Sequence, residues 1–130
     1  MNKVFIAEDD EYVSRMYERA FRLRGFEVEV VSSGKIALKR LQEMSQKPSV
    51  IVTDALLPEM SGKDLIRRIR EDTIFRSIPI AVLTNSFSRE DADQFLALGA
   101  DLYLIKIEHD SKSVVEKIHD LIKKHNTHNS

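Results

Sequence analysis

Four short apolar runs of the sequence are each followed closely by residues that could bind a metal ion or take part in group transfer. These residues are Glu8, Asp9 and Asp10, then Asp54, Thr84 and Lys106. Clustered carboxylates repel one another unless a hard cation neutralises them, and their oxygens suit Mg²⁺, with Mn²⁺ as a second fit. A carboxylate, a metal ion, a lysine and a hydroxyl group together form a phosphoryl-transfer site. The residue types therefore predict that Asp54 accepts a phosphoryl group as a short-lived acyl phosphate.

Each of these residues also has an ordinary explanation when it is taken alone. The acidic triplet at 8–10 could cap a helix, because carboxylates favour the unpaired amides and positive dipole end of a helix N-terminus. Asp54 could start a turn, since Pro58 follows it. Thr84 could be a plain strand residue, and Lys106 a solvated charge. The functional prediction therefore depends on whether the fold brings these positions together.

Five apolar runs alternate with segments in which apolar residues recur every three or four positions. The runs are 4–7, 28–31, 50–52, 80–83 and 102–105. Continuous runs are typical of parallel strands buried on both faces, whereas the alternation of Glu27 and Glu29 with valines indicates an edge strand. The segments between them predict amphipathic helices, with Gly25 and Gly99 expected to end the first and the fourth. Representative helix positions are Val13, Met16, Tyr17 and Ala20 in the first helix and Ala92, Phe95 and Leu96 in the fourth.

This alternation implies a parallel sheet with helices on both faces, because crossover connections are right-handed. Five strands are too few for a closed barrel. We therefore expect an α/β fold, a doubly wound (βα)5 flavodoxin-like three-layer sandwich with strand order 2-1-3-4-5. Ligands of such sheets bind beyond the carboxyl ends of the strands. The first and third strands are neighbours in this order, so Asp9 and Asp54, together with Glu8, should lie close together.

Length and composition limit the remaining possibilities. The chain has 130 residues and 42% apolar content, enough for one hydrophobic core, so we expect one domain over residues 1–124 and a frayed polar tail over 125–130. A net charge of −1 provides no bulk attraction for nucleic acid, and Arg67, Arg68 and Arg70 are expected to solvate a helix face. The absence of cysteine and of an apolar run of transmembrane length favours a cytoplasmic location without a membrane partner.

In their order along the chain, the motifs resemble the receiver domains of two-component response regulators, including the single-domain chemotaxis type. The motifs are Glu8-Asp9-Asp10, Val52-Thr53-Asp54 with Pro58 and Gly62, Leu83-Thr84, and Gly99-Ala100-Asp101 leading to Lys106. The resemblance extends from residue 3 to about residue 124. It implies a switch that takes a phosphoryl group from a histidine kinase or a histidine phosphotransfer protein. Such a protein catalyses only its own phosphorylation and dephosphorylation.

The resemblance implies a role for each matching position. The phosphoryl-binding residues are Asp54, the phosphoacceptor, with Thr84 and Lys106; the metal ligands are Glu8, Asp9, Asp54 and the backbone carbonyl of Leu56. Tyr103 is either the switch aromatic that moves inward with Thr84 or a half-buried aromatic of an edge strand. Phosphorylation would shift the surface made by the fourth helix, fifth strand and fifth helix, and an unknown downstream protein would bind there.

Two positions depart from the family pattern. Ile107 stands where the family usually has a proline after the lysine, and a cis peptide before Ile107 would cost about 3 kcal/mol. We therefore expect a trans bond and a different loop. Asn85 stands where a small residue is usual after the threonine, and we expect it to hinder access to Asp54.

Three other readings stay open at this point. A pseudo-receiver would keep the fold and bind protein partners without phosphorylation. A flavin-binding electron carrier would need a phosphate-cradling loop at 8–10, where the acidic side chains would repel phosphate. A phosphatase with an aspartate nucleophile would need a second aspartate two residues after the first, but Leu56 stands there after Asp54.

Overall fold

The computed structural model of the chain describes residues 2–86 and 88–128. The predicted fivefold alternation of strand and helix is confirmed, with the following elements in chain order: β1 Lys3–Ala7, α1 Glu11–Leu23, β2 Glu27–Val31, α2 Gly34–Glu43, β3 Val50–Asp54, α3 Gly62–Glu71, β4 Ile80–Thr84, α4 Arg89–Leu98, β5 Leu102–Ile105, a short 3-10 helix Lys106–Glu108, and α5 Ser111–His128.

The five strands form one parallel sheet in the order β2-β1-β3-β4-β5, as predicted. Helix α1 packs against α5, whereas α3 packs against both α2 and α4. The helices therefore form two layers with the sheet between them, which is the doubly wound α/β sandwich. None of the helices in the described part of the chain is long and apolar enough to cross a membrane.

The continuous apolar runs are explained by burial on both faces of the sheet. Successive side chains of a strand point to opposite faces. Phe5 and Ile51 accordingly belong to one hydrophobic cluster, whereas Val4 and Val50 belong to the other. All five residues of β4 are buried, as expected for a strand with a helical layer on each side. The edge strand β2 keeps Glu27 exposed, as its alternating pattern indicated.

The helix ends are stabilised by capping side chains and by glycines, and the glycines are the two predicted from the sequence. Side chains of Asp10, Ser33, Ser61 and Ser88 each accept a hydrogen bond from a first-turn amide of α1, α2, α3 and α4. These bonds satisfy amides that have no partner within the helix. Gly25 and Gly99 adopt positive φ angles of 100° and 118° just after α1 and α4, where a side chain would be strained.

Several expectations about exposure and extent are corrected by the structure. Helix α5 continues to His128, so the part of the expected tail from 125 to 128 is helical, and residues 129 and 130 lie outside the described residues. Met16 and Leu96, placed on apolar helix faces, are 38% and 46% exposed. A helical pattern of apolar residues alone does not determine which of them are buried.

The prediction that Arg70 solvates a helix face is wrong. Its guanidinium donates hydrogen bonds to the backbone carbonyls of Gly99, Arg76 and Ile78 and to the carboxylate of Asp101. Arg70 therefore ties the end of α3 to the segments that lead into β4 and β5. Its neighbours Arg67 and Arg68 are exposed, as predicted for them.

Candidate functional site

The register of the sheet brings Glu8 and Asp54 to the same place. Ala7 at the end of β1 pairs with Thr53 of β3, so the residues that follow leave the sheet side by side. Ligand oxygens of Glu8, Asp9 and Asp54 all lie within 4.8 Å of one another. The sequence prediction that these three carboxylates converge is therefore confirmed.

Lys106 reaches this carboxylate cluster from β5. Its Nζ donates a hydrogen bond to Asp54 Oδ2 at 2.8 Å and another to Glu8 Oε1. Only 9% of the Lys106 side chain and 4% of the Glu8 side chain are exposed, so these charges are poorly screened by solvent. One lysine thus bridges the acidic ends of β1 and β3, and it does so from two strands beyond β3 in the sheet.

Burial acts on both charges of the bridge. Burial raises the pKa of Glu8, because desolvation disfavours the carboxylate more than its hydrogen bonds to Lys106 and to the Asp10 amide favour it. For Lys106, burial opposes the charged form, but the hydrogen bonds to Asp54 and Glu8 outweigh it and raise its pKa. A further cation close to Glu8 would favour the charged form of this carboxylate.

The acidic triplet divides into different roles. Asp10 is the N-cap of α1, and its Oδ1 accepts a hydrogen bond from the Val13 amide at 3.0 Å. The ordinary explanation given for the triplet therefore applies to Asp10. Asp9 is exposed, and Glu8 is buried beside Lys106. Glu8 and Asp9, the acidic pair expected from the resemblance, are therefore the two carboxylates of the triplet that do not cap a helix and could bind a cation.

Asp54 is oriented by the loop that follows it. Its Oδ1 accepts a hydrogen bond from the Leu56 amide at 3.3 Å, while Oδ2 is held by Lys106. Gly62 begins α3 so close to this loop that a Cβ atom would lie 2.6 Å from the Asp54 carbonyl oxygen. A glycine is therefore required there if α3 is to pack against the end of β3 that carries Asp54. Leu56 is 77% exposed, and a metal-binding role for its carbonyl stays a prediction.

Thr84 ends β4 between β3 and β5. It is 2% exposed, and its hydroxyl accepts a hydrogen bond from the Ser86 amide at 3.1 Å. Asn85, which was expected to hinder access to Asp54, is exposed. Whether it slows phosphorylation stays a prediction.

Tyr103 is half-buried in the edge strand β5, which agrees with its interpretation as a half-buried aromatic of an edge strand. Its hydroxyl group donates a hydrogen bond to Asp91 Oδ2 at 3.2 Å, and its ring centre lies 5.8 Å from that of Phe95. Burial raises its pKa, and the negative charge of Asp91 acts in the same direction. A role as the switch aromatic stays a prediction.

The connection after Lys106 follows the expectation drawn from Ile107. The described part of the chain, 2–86 and 88–128, contains no cis peptide bond, so the bond to Ile107 is trans. Residues Lys106–Glu108 form a short 3-10 helix, and Ile107 is 84% exposed. Lys106 keeps its hydrogen bonds to Asp54 and Glu8 with Ile107 after it, and an effect of Ile107 on the shape of the loop stays a prediction.

Lys63 and Asp91 contact the surroundings of the site and were not identified from the sequence. Their side chains form an ion pair of 2.9 Å between α3 and α4. The Ser88-to-Asp91 spacing is typical of a helix N-terminus, and this signal could have placed Asp91 in the first turn of α4. No local pattern could have identified its partners, because Lys63 and Tyr103 belong to other elements.

Comparison with known proteins agrees with the fold and with this arrangement. The profile of the response regulator receiver domain matches residues 4–123. The chain therefore belongs to the receiver domain family of two-component response regulators. This membership leaves the flavin carrier and the phosphatase without support.

Two curated relatives illustrate the family. The phosphate regulon transcriptional regulatory protein PhoB of Rhizobium meliloti (strain 1021) is 35% identical over 104 residues, which are 80% of this chain and 45% of PhoB. The two-component response regulator ORR3 of Oryza sativa subsp. indica is 34% identical over 102 residues, covering 78% of this chain and 77% of ORR3. The chain thus spans less than half the length of PhoB.

Solved structures show the same architecture. The chemotaxis response regulator CheY4 of Vibrio cholerae superposes with a TM-score of 0.84 at 26% identity, over 94% of this chain and 98% of CheY4. A CheY-like receiver domain protein of Methanospirillum hungatei JF-1 gives a TM-score of 0.88 at 20% identity, over 98% of each chain. At that identity the second similarity concerns the fold alone.

Proposed function

We propose that this receiver domain takes a phosphoryl group onto Asp54 with the help of Mg²⁺, and that the modification switches the α4-β5-α5 surface for a partner protein. The observation that carries the proposal is the bridge from Lys106 to Asp54 and Glu8. It places one cation between the buried carboxylate of Glu8 and the partly buried carboxylate of Asp54, at the carboxyl edge of the sheet. The family membership supports the same function.

The side chains divide the chemistry between them. Asp54 attacks phosphorus with a carboxylate oxygen, a new O–P bond forms, and the bond from phosphorus to the donor breaks. Lys106 offers its ammonium to the phosphoryl oxygens, and the Thr84 hydroxyl gives a hydrogen bond to them. Three converging carboxylates fit a hard divalent cation. Glu8, Asp9, Asp54 and the Leu56 carbonyl would hold Mg²⁺, or Mn²⁺, which when bound neutralises charge on the transferred group.

The partners of this proposal follow from the chemistry of the switch. The donor is a histidine kinase or a histidine phosphotransfer protein, whose phosphohistidine supplies the phosphoryl group. The acceptor catalyses only its own phosphorylation and dephosphorylation. A change at Thr84 and Tyr103 then biases the α4-β5-α5 surface toward the form that binds a downstream protein. The location proposed for this exchange is the cytoplasm.

Intact mass measured after incubation with acetyl phosphate tests the proposal. The wild type should gain one phosphoryl mass in the presence of Mg²⁺ and none in the presence of a chelator. Asp54→Asn should gain none under either condition. Asp9→Asn should need much more Mg²⁺ for the same gain, because it loses one proposed ligand.

Asp10→Asn is the matched control for Asp9→Asn, since asparagine also caps helices and Asp10 is committed to α1. Its Mg²⁺ requirement should equal that of the wild type. A folded wild-type chain that gains no mass from acetyl phosphate or from a phosphorylated donor would contradict the proposal. The pseudo-receiver would then be the better account.

A further inference from the structure

A cavity lies on the side of the sheet where the strands begin, away from Asp54. It has a volume of about 480 Å³, a size typical of small-molecule sites, and lies between the loop after α3, the turn after α4 and the last turns of α5. The length of β4, about 16 Å for five residues, separates it from the candidate phosphoryl-transfer site. Its lining includes Arg70, Arg76, Ser77, Asp101, Lys124 and His125.

Arg70 and Asp101 line this cavity as an ion pair. Arg70 Nη2 lies 3.0 Å from Asp101 Oδ2, and the same oxygen accepts a hydrogen bond from the Ile80 amide at 2.9 Å. The guanidinium of Arg70 makes five hydrogen bonds, four to backbone carbonyls and one to Asp101, so all five of its N–H groups are engaged. The two charges therefore cancel, and Arg70 has no donor left for a ligand.

Arg76 and Lys124 bring positive charges to the cavity that nothing cancels. Both side chains are exposed, and neither forms an ion pair with a residue that the structure describes. The carbonyl of Arg76 accepts a hydrogen bond from Arg70 Nη1 at 2.9 Å, so the backbone that carries Arg76 is fixed. Lys124 follows Leu121 by one turn of α5, and both line the cavity from the same side of the helix. The cavity therefore has two cations available to a ligand.

We propose that this cavity binds a small phosphate monoester through Arg76 and Lys124. Such an ester carries close to two negative charges at neutral pH, which match the two cations. Guanidinium and ammonium groups both donate charge-assisted hydrogen bonds to phosphoryl oxygens, and the hydroxyl group of Ser77 is a further donor in the lining. Leu121 offers an apolar surface to the organic part of the ester. The binding does not involve Asp54, so this site is separate from phosphoryl transfer.

Titration with phenyl phosphate, followed by amide NMR signals at constant ionic strength with a chelator present, tests this site. The signals of Ser77, Gly99 and Asp101 should shift, whereas those of Leu56 and Ser86 beside the phosphoryl-transfer site should not. Shifts confined to Leu56 and Ser86, or no shift at concentrations up to about 10 mM, would overturn the proposal.

Two further ligands define the chemical class. Phenyl sulfate has the same shape as phenyl phosphate and one negative charge, so it should bind about fivefold more weakly, as expected when one charge pair about 4 Å apart in water is lost. Inorganic phosphate should also bind more weakly than phenyl phosphate, because it leaves Leu121 uncovered. If either ligand bound as tightly as phenyl phosphate, the assignment to a phosphate monoester would be wrong.

Variants of the two cations test which residues bind the ligand. Arg76→Met and Lys124→Met should each weaken the binding of phenyl phosphate about fivefold, because each removes one cation. Arg68→Met in α3 and Lys123→Met in α5 are matched controls, since both remove an exposed cation that does not line the cavity. Each control should keep the wild-type affinity. Equal losses in the controls would overturn the proposal, because general attraction between charges would then explain the binding.

Asp54→Asn separates this site from the proposed function. This variant should bind phenyl phosphate as tightly as the wild type, although it should accept no phosphoryl group from acetyl phosphate. Loss of phenyl phosphate binding in Asp54→Asn would contradict a separate site. A wild type that is phosphorylated on Asp54 but shows no shift at Ser77 and Gly99 would overturn this inference and leave the proposed function intact.

Discussion

Lys106 and Arg70 are both partly buried cations, and they lie at opposite ends of the strands of the same sheet. We call the side on which the strands end the carboxyl edge and the side on which they begin the amino edge. Lys106 lies at the carboxyl edge and bridges the carboxylates of Glu8 and Asp54. Arg70 lies at the amino edge, where most of its hydrogen bonds go to backbone carbonyls and one to Asp101. Their side chains are 9% and 20% exposed. Burial alone therefore does not distinguish a functional cation from a structural one.

The difference lies in their partners. Backbone carbonyls have fixed positions and no charge to exchange, so Arg70 can only hold segments together. Carboxylates can be shared with another cation or modified, so the partners of Lys106 are able to change during function. Burial lowers the pKa of Arg70, whereas the paired carboxylates raise that of Lys106. The chemistry of the partners thus separates the working edge of the sheet from the structural one.

A substitution of Arg70 tests the amino edge and should change the free energy of unfolding most. Arg70→Met should lower the free energy of unfolding by about 4 kcal/mol, because several carbonyls at the start of β4 and β5 lose a charged donor. Urea unfolding measures this, and Mg²⁺ should restore none of the loss. Arg68→Met is the matched control, since Arg68 is exposed on the same helix. A loss equal to that of this control would mean that Arg70 is not structural.

A substitution of Lys106 tests the carboxyl edge and should have the second-largest effect on the free energy of unfolding. Lys106→Met should lower the free energy of unfolding by about 2 kcal/mol in metal-free buffer, because Glu8 and Asp54 are left without their buried cation. Unlike the loss in Arg70→Met, this loss should be partly restored by Mg²⁺, measured in paired urea titrations with Mg²⁺ and with a chelator. If Mg²⁺ restored the same stability to Lys106→Met and to Arg70→Met, the two edges of the sheet would not differ in metal binding.

Glu8→Gln should have the smallest effect of the three substitutions, and it should raise the free energy of unfolding instead of lowering it. The folded-state pKa of Glu8 is raised above its ordinary value of 4.5, so the folded chain resists ionisation and loses stability as pH rises from 4.5 through that raised pKa. Glu8→Gln cannot ionise, and should therefore be more stable than the wild type at neutral pH without metal, by less than the loss expected in Lys106→Met. The gain should vanish at acidic pH, where Glu8 is protonated in both states.

Mg²⁺ should reverse the order of these two proteins. If Glu8 helps to hold the cation, Mg²⁺ stabilises the wild type more than Glu8→Gln. The urea midpoints of the wild type and Glu8→Gln should be compared at pH 4 and at pH 7, each with and without Mg²⁺. A Glu8→Gln variant that is less stable than the wild type without metal would show that the bond to Lys106 outweighs the cost of burying the carboxylate.

Local sequence patterns were enough to predict the strands and helices, their order, and the edge of the sheet where the reactive side chains lie. Continuous apolar runs indicated buried parallel strands, and polar residues just after those runs could lie only at the carboxyl edge. Gly25 and Gly99 marked helix ends for reasons that act within a few residues. These features were predictable because hydrophobic period and backbone conformation are local properties of the chain.

Which charged side chains contact one another became clear only from the folded arrangement. It gave Asp10 to the helix cap and left Asp9 exposed, although the two are adjacent and chemically alike. It also placed Asp91 between Lys63 and Tyr103 and turned Arg70 away from solvent. Such pairings join residues that are far apart in sequence, and they depend on strand register and helix packing to within a few ångströms. No periodicity along the chain carries that information.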